Sequence, residues 1–169
     1  MNMFFTSDTH FNHHNIIEYD QRPFKDVYEM DETIISNWNK KVPEGSIVYH
    51  LGDFGLGRVG ALKEIKGWLS GNICLVRGNH DESIKKLLDV GFECVADELT
   101  LHYKGFIFVL SHEADLSHKN VDGVINIHGH SHSPERFNKN FINVCTSAWD
   151  YTPVSLEELL FEYKQNRRR

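Results

Sequence analysis

The sequence predicts an α/β fold in which two β-sheets pack face to face, with helices on the outside. In the first half of the chain, short apolar segments typical of strands alternate with segments of helical spacing, as in βαβ units. In the second half, strand-like segments follow one another closely, which indicates a second sheet. The chain has 169 residues, so we expect a single domain over residues 1–166 and a basic tail over 167–169.

The first half contains three predicted strands and three predicted helices. We predict strands over residues 3–6, 46–51 and 72–76. We predict helices over residues 26–41, 61–69 and 81–90, where apolar residues recur every three or four positions. In the third helix, we expect Ile84, Leu87 and Leu88 to face the core and Gly91 to end the helix.

The second half is predicted to be mainly β-structure. We predict strands over residues 92–95, 99–103, 106–111, 124–127 and 141–144. The dipeptide Lys104-Gly105 is typical of a turn between two of them. A helix over residues 155–163 closes the chain, because Ser155 can cap its N-terminus and Glu158 stands at the capping-box position.

The charge and composition exclude several functional classes. The net charge is −6, and the three terminal arginines contribute +3, so the rest of the chain carries −9. A body this acidic lacks the basic face that general nucleic-acid binding requires, and we expect no strong nucleic-acid-binding surface. No apolar run reaches the ~18–20 residues that span a bilayer, so we expect no membrane association. Three widely spaced cysteines and the absence of a signal peptide indicate a reduced, cytoplasmic protein.

Histidine is unusually frequent, with 11 residues against 12 glycines. Histidine is the commonest metal ligand and the usual acid–base group near neutral pH. The composition alone therefore points to a metal site.

Polar side chains follow five of the predicted strands. Carboxyl ends of strands converge in α/β sheets, so these side chains are expected to meet in one crevice. They offer two carboxylates, one amide oxygen and four imidazoles, which is too many for one divalent ion and fits two ions that share a bridging carboxylate. The candidate ligands are Asp8, His10, Asp53, Asn79, His112, His130 and His132.

These residues stand in five short motifs, and together the motifs resemble the calcineurin-like metallophosphoesterase superfamily. All five occur in the family's order between residues 8 and 132. They are Asp8-Thr9-His10, Gly52-Asp53, Gly78-Asn79-His80-Asp81, Ser111-His112 and Gly129-His130-Ser131-His132. The resemblance implies a four-layer α/β/β/α sandwich of two mixed sheets flanked by helices, with the active site in the loops at the carboxyl ends of the strands.

The resemblance also implies a role for each motif residue. One metal ion would be bound by Asp8, His10 and His132 and the other by Asn79, His112 and His130, with Asp53 bridging the two. His80 resembles the family's catalytic histidine, and Asp81 its orienting partner. We expect manganese as the ion, with nickel, iron, zinc or magnesium as alternatives.

The predicted function is hydrolysis of a phosphate ester by in-line attack of a metal-bridging hydroxide, with His80 as general acid. We expect a small phosphoester or nucleotide substrate, and diesters in preference to monoesters. Two alternatives stay open, namely a nuclease acting on small or single-stranded nucleic acid and a catalytically silent scaffold of the same fold. The sequence does not indicate the oligomeric state.

Four residues near the motifs have open alternatives. His13 is a candidate substrate contact, because the segment from His10 to Ile16 resembles the one that follows the first motif in members of the family. Arg22 could pair with phosphate oxygens or form a structural ion pair. Asp81 could also serve as the N-cap of the helix that follows it. His50 could support the site from behind or pack in the core.

Overall fold

Two mixed five-stranded β-sheets form the centre of the protein in the computed structural model, which describes residues 2–167. The predicted basic tail is thus described only at Arg167, and Arg168 and Arg169 lie outside the described residues. The strands in chain order are β1 (Met3–Thr6), β2 (Ile47–His50), β3 (Asn72–Val76), β4 (Cys94–Ala96), β5 (Glu98–Tyr103), β6 (Phe106–Ser111), β7 (Val124–His128), β8 (Phe137–Asn138), β9 (Phe141–Asn143) and β10 (Val154–Ser155).

The first sheet has the order β10-β1-β2-β3-β4, and the second has the order β5-β6-β7-β9-β8. Strands β1 to β4 are parallel and β10 runs antiparallel to β1. In the second sheet β6, β7 and β9 are parallel, and the edge strands β5 and β8 are antiparallel to their neighbours. In each sheet the central parallel strands therefore end at a common edge, where loops can converge.

The helices in chain order are α1 (Ile16–Tyr19), α2 (Val27–Lys41), α3 (Val59–Trp68), α4 (Ile84–Val90) and α5 (Leu156–Asn166). Helix α2 begins where the Asp26 side chain accepts a hydrogen bond from the backbone N–H of Glu29. Helix α5 begins with the predicted capping box, in which Ser155 and Glu158 exchange side-chain and backbone hydrogen bonds.

The apolar side chains form two cores, one on each face of the first sheet. Helices α2, α3 and α4 cover the outer face, where Trp38 and Ile34 are buried against Ile73 of β3. The second core lies between the sheets and includes Phe5 and Phe108, and helix α5 packs against it. Burial of side chains of this size stabilises the fold by about 1.5–3 kcal/mol each. The predicted sandwich of two mixed sheets flanked by helices is confirmed.

The third predicted helix differs from the expectation. Helix α4 begins at Ile84, not at residue 81, and Ile84 and Leu88 are 36% and 51% exposed. A helix of only two turns presents one narrow face to the core, and here that face carries Leu87 and Val90. Gly91 ends the helix in the left-handed conformation, as predicted.

The segment that joins β6 to β7 covers part of the outer face of the second sheet. It contains a 3₁₀ helix, Leu116–His118, instead of a longer α-helix. Two buried asparagines fasten it, Asn126 of β7 and Asn140 of the turn between β8 and β9. Asn126 accepts a hydrogen bond from the backbone of Asp115, and Asn140 donates one to the carbonyl of His118. The outer layer over this sheet is therefore thin.

None of the helices within residues 2–167 is long and apolar enough to span a lipid bilayer.

Candidate metal centre

The five motifs lie at the carboxyl ends of five strands, in the loops that follow β1, β2, β3, β6 and β7. The loops from the two sheets meet at one edge of the sandwich. There the seven predicted ligands form two groups of donor atoms joined through Asp53.

The first group consists of Asp8, His10 and His132. One donor atom from each lies within 4.8 Å of the other two. Asp8 Oδ1 is 3.5 Å from His132 Nε2, and the rings of His10 and His132 are 5.2 Å apart. Asp8 also belongs to a second such group, with Asp53 and His112.

The second group consists of Asn79, His112 and His130. Asn79 Oδ1 is 2.9 Å from His112 Nε2 and 3.1 Å from His130 Nδ1, and these two nitrogens are 3.2 Å apart. Donor atoms that share one ion at about 2.1 Å stand about 3 Å from one another. The three atoms therefore have the spacing of ligands around a single ion.

Asp53 stands between the two groups. Its Oδ2 atom is 3.6 Å from His10 Nε2 and 3.5 Å from His112 Nε2. Its other oxygen, Oδ1, accepts a hydrogen bond of 2.9 Å from the backbone N–H of His80. The carboxylate is 2% exposed, so its orientation is fixed by the protein and not by solvent.

Five of the seven predicted ligands have a left-handed backbone. The φ angles of Asp8, His10, Asp53, His130 and His132 lie between 48° and 65°. This conformation is uncommon for residues other than glycine and costs about 1–3 kcal/mol at each position. The left-handed conformation recurs at all five positions. The rest of the fold therefore offsets this conformational cost, and the five side chains are directed at a common centre.

The hydrogen bonding of these residues tests whether they fit a cation. Asp8 Oδ1 and His10 Nε2 are buried and have no hydrogen-bond partner. His112 donates from Nδ1 to the carbonyl of Leu51 at 2.8 Å, so the lone pair of Nε2 points at the oxygen of Asn79. Buried lone pairs that face one another without a proton are costly, and a divalent ion would satisfy them. The donor set therefore fits metal ions.

Burial and charge set the ionisation of the first group. Burial alone would raise the pKa of Asp8, but the neighbouring imidazoles of His132 and His112 and a hydrogen bond from Ser7 together hold it below its ordinary value. Burial lowers the pKa of His10 to about 2, so that imidazole is neutral and able to act as a ligand. The pKa of His132 rises to about 9 against the effect of burial, because the carboxylates of Asp20 and Asp8 lie 3.0 Å and 3.5 Å from its two ring nitrogens.

Two glycines let the motif loops approach these side chains. A Cβ atom at Gly129 would lie 2.2 Å from Ser7 Oγ and 2.3 Å from Asp8 Oδ2. A Cβ atom at Gly78 would lie 2.2 Å from Asp53 Oδ1. Both positions therefore exclude any larger residue, which accounts for the glycine in each motif.

His80 and His13 lie at the open side of the centre. The ring of His80 is 5.8 Å from that of His10 and 6.4 Å from that of His13, and His80 is exposed. His13 is partly buried, and its Nδ1 is 3.3 Å from Nδ1 of His10. Burial and the neighbouring His80 lower the pKa of His13. Both imidazoles can thus reach a molecule placed over the centre.

Asp81 does not have either of the roles predicted for it. Its Oδ2 accepts hydrogen bonds of 2.8 Å from the backbone N–H groups of Asp53 and Gly78, and its Oδ1 accepts one of 3.0 Å from Phe54. The carboxylate therefore faces the loop that carries Asp53, and among the described residues no hydrogen bond joins it to the His80 imidazole. Helix α4 starts too late for Asp81 to cap it. Asp81 fixes the backbone of a predicted ligand, and this role replaces the orientation of His80.

Arg22 lies beneath the centre, which favours the structural alternative over contact with phosphate. Its side chain is fully buried and forms an ion pair of 3.0 Å with Asp20. The guanidinium also donates to the carbonyls of Asp8 and Thr9, at 2.8 Å and 3.0 Å. Arg22 thus holds the backbone of the first motif from below.

Replacing Arg22 with Met is expected to lower the free energy of unfolding by about 3 kcal/mol, because two carbonyls and the Asp20 carboxylate lose a buried partner. Urea unfolding measures this change. Arg58→Met, at an exposed arginine, is the control and should stay within about 0.5 kcal/mol of wild type. If the Arg22→Met variant had unchanged stability and a raised KM, Arg22 would instead be a substrate-binding residue.

Two supporting residues, Asp20 and Ser7, were not identified from the sequence. Asp20 accepts a hydrogen bond of 3.0 Å from His132 Nδ1, and Ser7 Oγ donates to Asp8 Oδ2 at 2.5 Å. Thr9 Oγ1 is 2.9 Å from His50 Nε2, and His50 is fully buried against Trp38, so His50 both supports the first motif and packs in the core. Carboxylates and carbonyls that orient ligand histidines are a regular feature of metal sites. No motif marks them, because their contacts arise only from the fold.

Comparison with known proteins agrees with this geometry. The sequence profile of the calcineurin-like phosphoesterase superfamily domain matches residues 1–149. The chain belongs to this superfamily. The predicted family is thereby confirmed, and the calcineurin-like chain is a metal-dependent phosphoesterase in the general sense of its family.

Individual relatives of this calcineurin-like phosphoesterase come from distant sources. It is 41% identical over 165 residues to an uncharacterized protein of Methanocaldococcus jannaschii, covering 92% of this chain and 87% of that protein. It is 30% identical over 185 residues to the gene 66 protein of Mycobacterium phage L5. The match covers 88% of this chain and 87% of that protein. The crystal structure of a protein of unknown function from Aquifex aeolicus is similar with a TM-score of 0.73 at 28% identity, covering 94% of this chain and 97% of that one.

Proposed function

We propose that this chain is a dinuclear phosphodiesterase that hydrolyses a small phosphodiester. The position of Asp53 carries the proposal. One carboxylate oxygen stands 3.6 Å from a histidine of the first donor group and 3.5 Å from a histidine of the second. A buried oxygen between two separate sets of ring nitrogens is the arrangement that a bridging ligand requires.

The seven ligands divide between two ions in this proposal. Asp8, His10 and His132 bind one ion. Asn79, His112 and His130 bind the other. Asp53 bridges both. The mixture of imidazole, carboxylate and amide donors suits manganese, which we propose as the ion.

The charge of the site favours a diester. Two divalent ions would supply an activated water as nucleophile and would neutralise charge on the phosphoryl group. With Asp8 and Asp53 ionised and an anionic nucleophile in place, the site keeps a charge of about +1. A diester carries one negative charge and matches this value, whereas a monoester carries up to two.

His80 is the proposed general acid. Its backbone N–H donates to Asp53 Oδ1, so the loop that carries the imidazole is tied to the centre of the site. The exposed ring stands at the open side, near His10 and His13, where a leaving group would depart. His80 would give a proton to the departing alkoxide, and His13 would contact the phosphate from the same side.

Replacing His80 with Gln is expected to lower kcat about 10²–10⁴-fold for a diester with an alkoxide leaving group, because that group needs a proton. The same variant should lose far less activity on bis-p-nitrophenyl phosphate, since p-nitrophenolate leaves without one. Steady-state rates on both substrates measure the difference, with His14→Gln at an exposed neighbouring histidine as the control. Equal losses on both substrates would contradict the role of general acid.

The proposed function is tested with bis-p-nitrophenyl phosphate in the presence of Mn²⁺, Ni²⁺, Mg²⁺ or Zn²⁺. We expect turnover with at least one metal, loss of turnover on chelation, and slower hydrolysis of p-nitrophenyl phosphate. Failure of every metal to support turnover would overturn the proposal. Faster hydrolysis of the monoester would overturn its diester preference.

A further inference from the structure

A second concave surface adjoins the metal centre on the outer face of the second sheet. It lies between the 3₁₀ helix Leu116–His118 and the turn that joins β8 to β9, and we call it the outer groove. Its volume is about 300 Å³, at the lower end of the range for sites that bind small molecules. The residues that matter here are Leu116, Lys119, His128, Ser131, Lys139 and Phe141, all of which line it.

The outer groove reaches the loop that carries two predicted ligands. Ser131 lines the groove and stands between His130 and His132 in the chain. The ring of His128, at the end of β7, forms part of the floor. A molecule with its reacting group at the metal centre can therefore extend a second part past Ser131 into the groove.

The groove is cationic although the protein is acidic. Lys119 and Lys139 are exposed along it, and neither forms an ion pair with any residue of the described chain. Arg136 also lines it, but its guanidinium pairs with Glu162 at 3.1 Å. Glu135 is the single carboxylate among the described lining residues. Two free lysines against one carboxylate, in a chain of net charge −6, favour an anionic ligand.

The floor and one wall of the groove are apolar. The Phe141 ring packs edge-on against that of His128, with centroids 6.2 Å apart. Leu116 stands over this floor and is 68% exposed, although its segment is anchored to the sheet through Asn126. A flat aromatic group could occupy the space between the leucine and the two rings.

We propose that the outer groove binds the non-reacting arm of the substrate, and that this arm is a nucleoside that bears a further phosphate. The base would lie against Phe141 and Leu116, and the phosphate would pair with Lys119 and Lys139. This proposal rests on the proposed function, because it places the reacting phosphodiester at the metal centre. It narrows the substrate class to phosphorylated small nucleotides.

The test compares two dinucleotides that differ by one phosphate, the 5′-phosphorylated dinucleotide pApA and unphosphorylated ApA. For the wild type, kcat/KM should be about tenfold higher for pApA. The double variant Lys119→Ala/Lys139→Ala should lose this preference through a raised KM and should keep bis-p-nitrophenyl phosphate turnover within about twofold. The control is Lys63→Ala/Lys85→Ala, which removes two exposed lysines from α3 and α4 and should change nothing.

Binding without catalysis gives an independent result. In the presence of EDTA, titration calorimetry should show that the double variant binds pApA about tenfold more weakly than wild type and the control do. Equal effects of the double variant on pApA and ApA, or no effect on either, would overturn the proposal. So would a raised KM for bis-p-nitrophenyl phosphate. If the wild type binds pApA through the lysines but hydrolyses no phosphodiester with any metal, the proposed function fails and the nucleotide site remains.

Discussion

Asp53→Asn is expected to lower kcat/KM at least ~10³-fold and to reduce the bound metal from two ions per chain to at most one. The substitution keeps the shape of the side chain and removes the charge that both donor groups share, which removes several kcal/mol of interaction with the ions. Because Asn retains an oxygen for the backbone N–H of His80, the loop should keep its position. Steady-state kinetics and elemental analysis of the dialysed protein measure the two effects.

Asp89→Asn is the matched control for Asp53→Asn, because Asp89 is an exposed aspartate on α4. It should have wild-type kinetics and metal content. An Asp53→Asn variant that retains two ions, or more than about a tenth of wild-type activity, would show that this carboxylate does not bridge.

Gly129→Ala should have the second-largest effect, with a loss of kcat/KM of about 10²-fold or more. The added methyl group would lie 2.2 Å from Ser7 Oγ and 2.3 Å from Asp8 Oδ2, so the loop must move away. That movement breaks the hydrogen bond of 2.9 Å from the backbone N–H of His130 to Asp8. A displacement of about 1 Å in a catalytic group costs about 10²-fold in rate. Enzyme kinetics and a calorimetric metal titration measure the loss.

Gly60→Ala provides the matched control for Gly129→Ala. Gly60 lies in helix α3, where an added Cβ meets nothing within 4 Å. This variant should keep full activity and gain about 0.5–1 kcal/mol of stability, since alanine favours the helix. If Gly129→Ala is as active as Gly60→Ala, the close packing of the motif loop against Asp8 is irrelevant to function.

The sequence predicted the two sheets and the convergence of the seven candidate ligands on one crevice, because both depend on short-range patterns. Each predicted ligand lies within four residues of the end of a strand, as Asp53 lies three residues after β2, and parallel strands bring such positions to one edge. The capping box of α5 was also readable, since Ser155 and Glu158 are three residues apart.

Contacts that depend on the tertiary fold could not be predicted from the sequence. Asp81 was assigned to its neighbour in sequence, His80. Its oxygens instead accept hydrogen bonds from the backbone of Asp53 and Phe54, which are 28 and 27 residues earlier in the chain. Asp20 reaches His132 across more than a hundred residues. In α4, helical spacing alone could not tell that a two-turn helix buries Leu87 and exposes Leu88.

The outer groove also lay beyond sequence analysis. Its lysines come from different loops, Lys119 after the 3₁₀ helix and Lys139 in the turn between β8 and β9. They are brought together only when Asn126 and Asn140 anchor the segment before β7 to the sheet.

The bridging position of Asp53 is the central claim, and anomalous diffraction from crystals grown with Mn²⁺ tests it most directly. We predict two manganese peaks about 3.5–4 Å apart, one on each side of Asp53 Oδ2, with Asp8 on one ion and Asn79 on the other. A single peak, or two peaks that do not share the Asp53 carboxylate, would contradict the proposed centre.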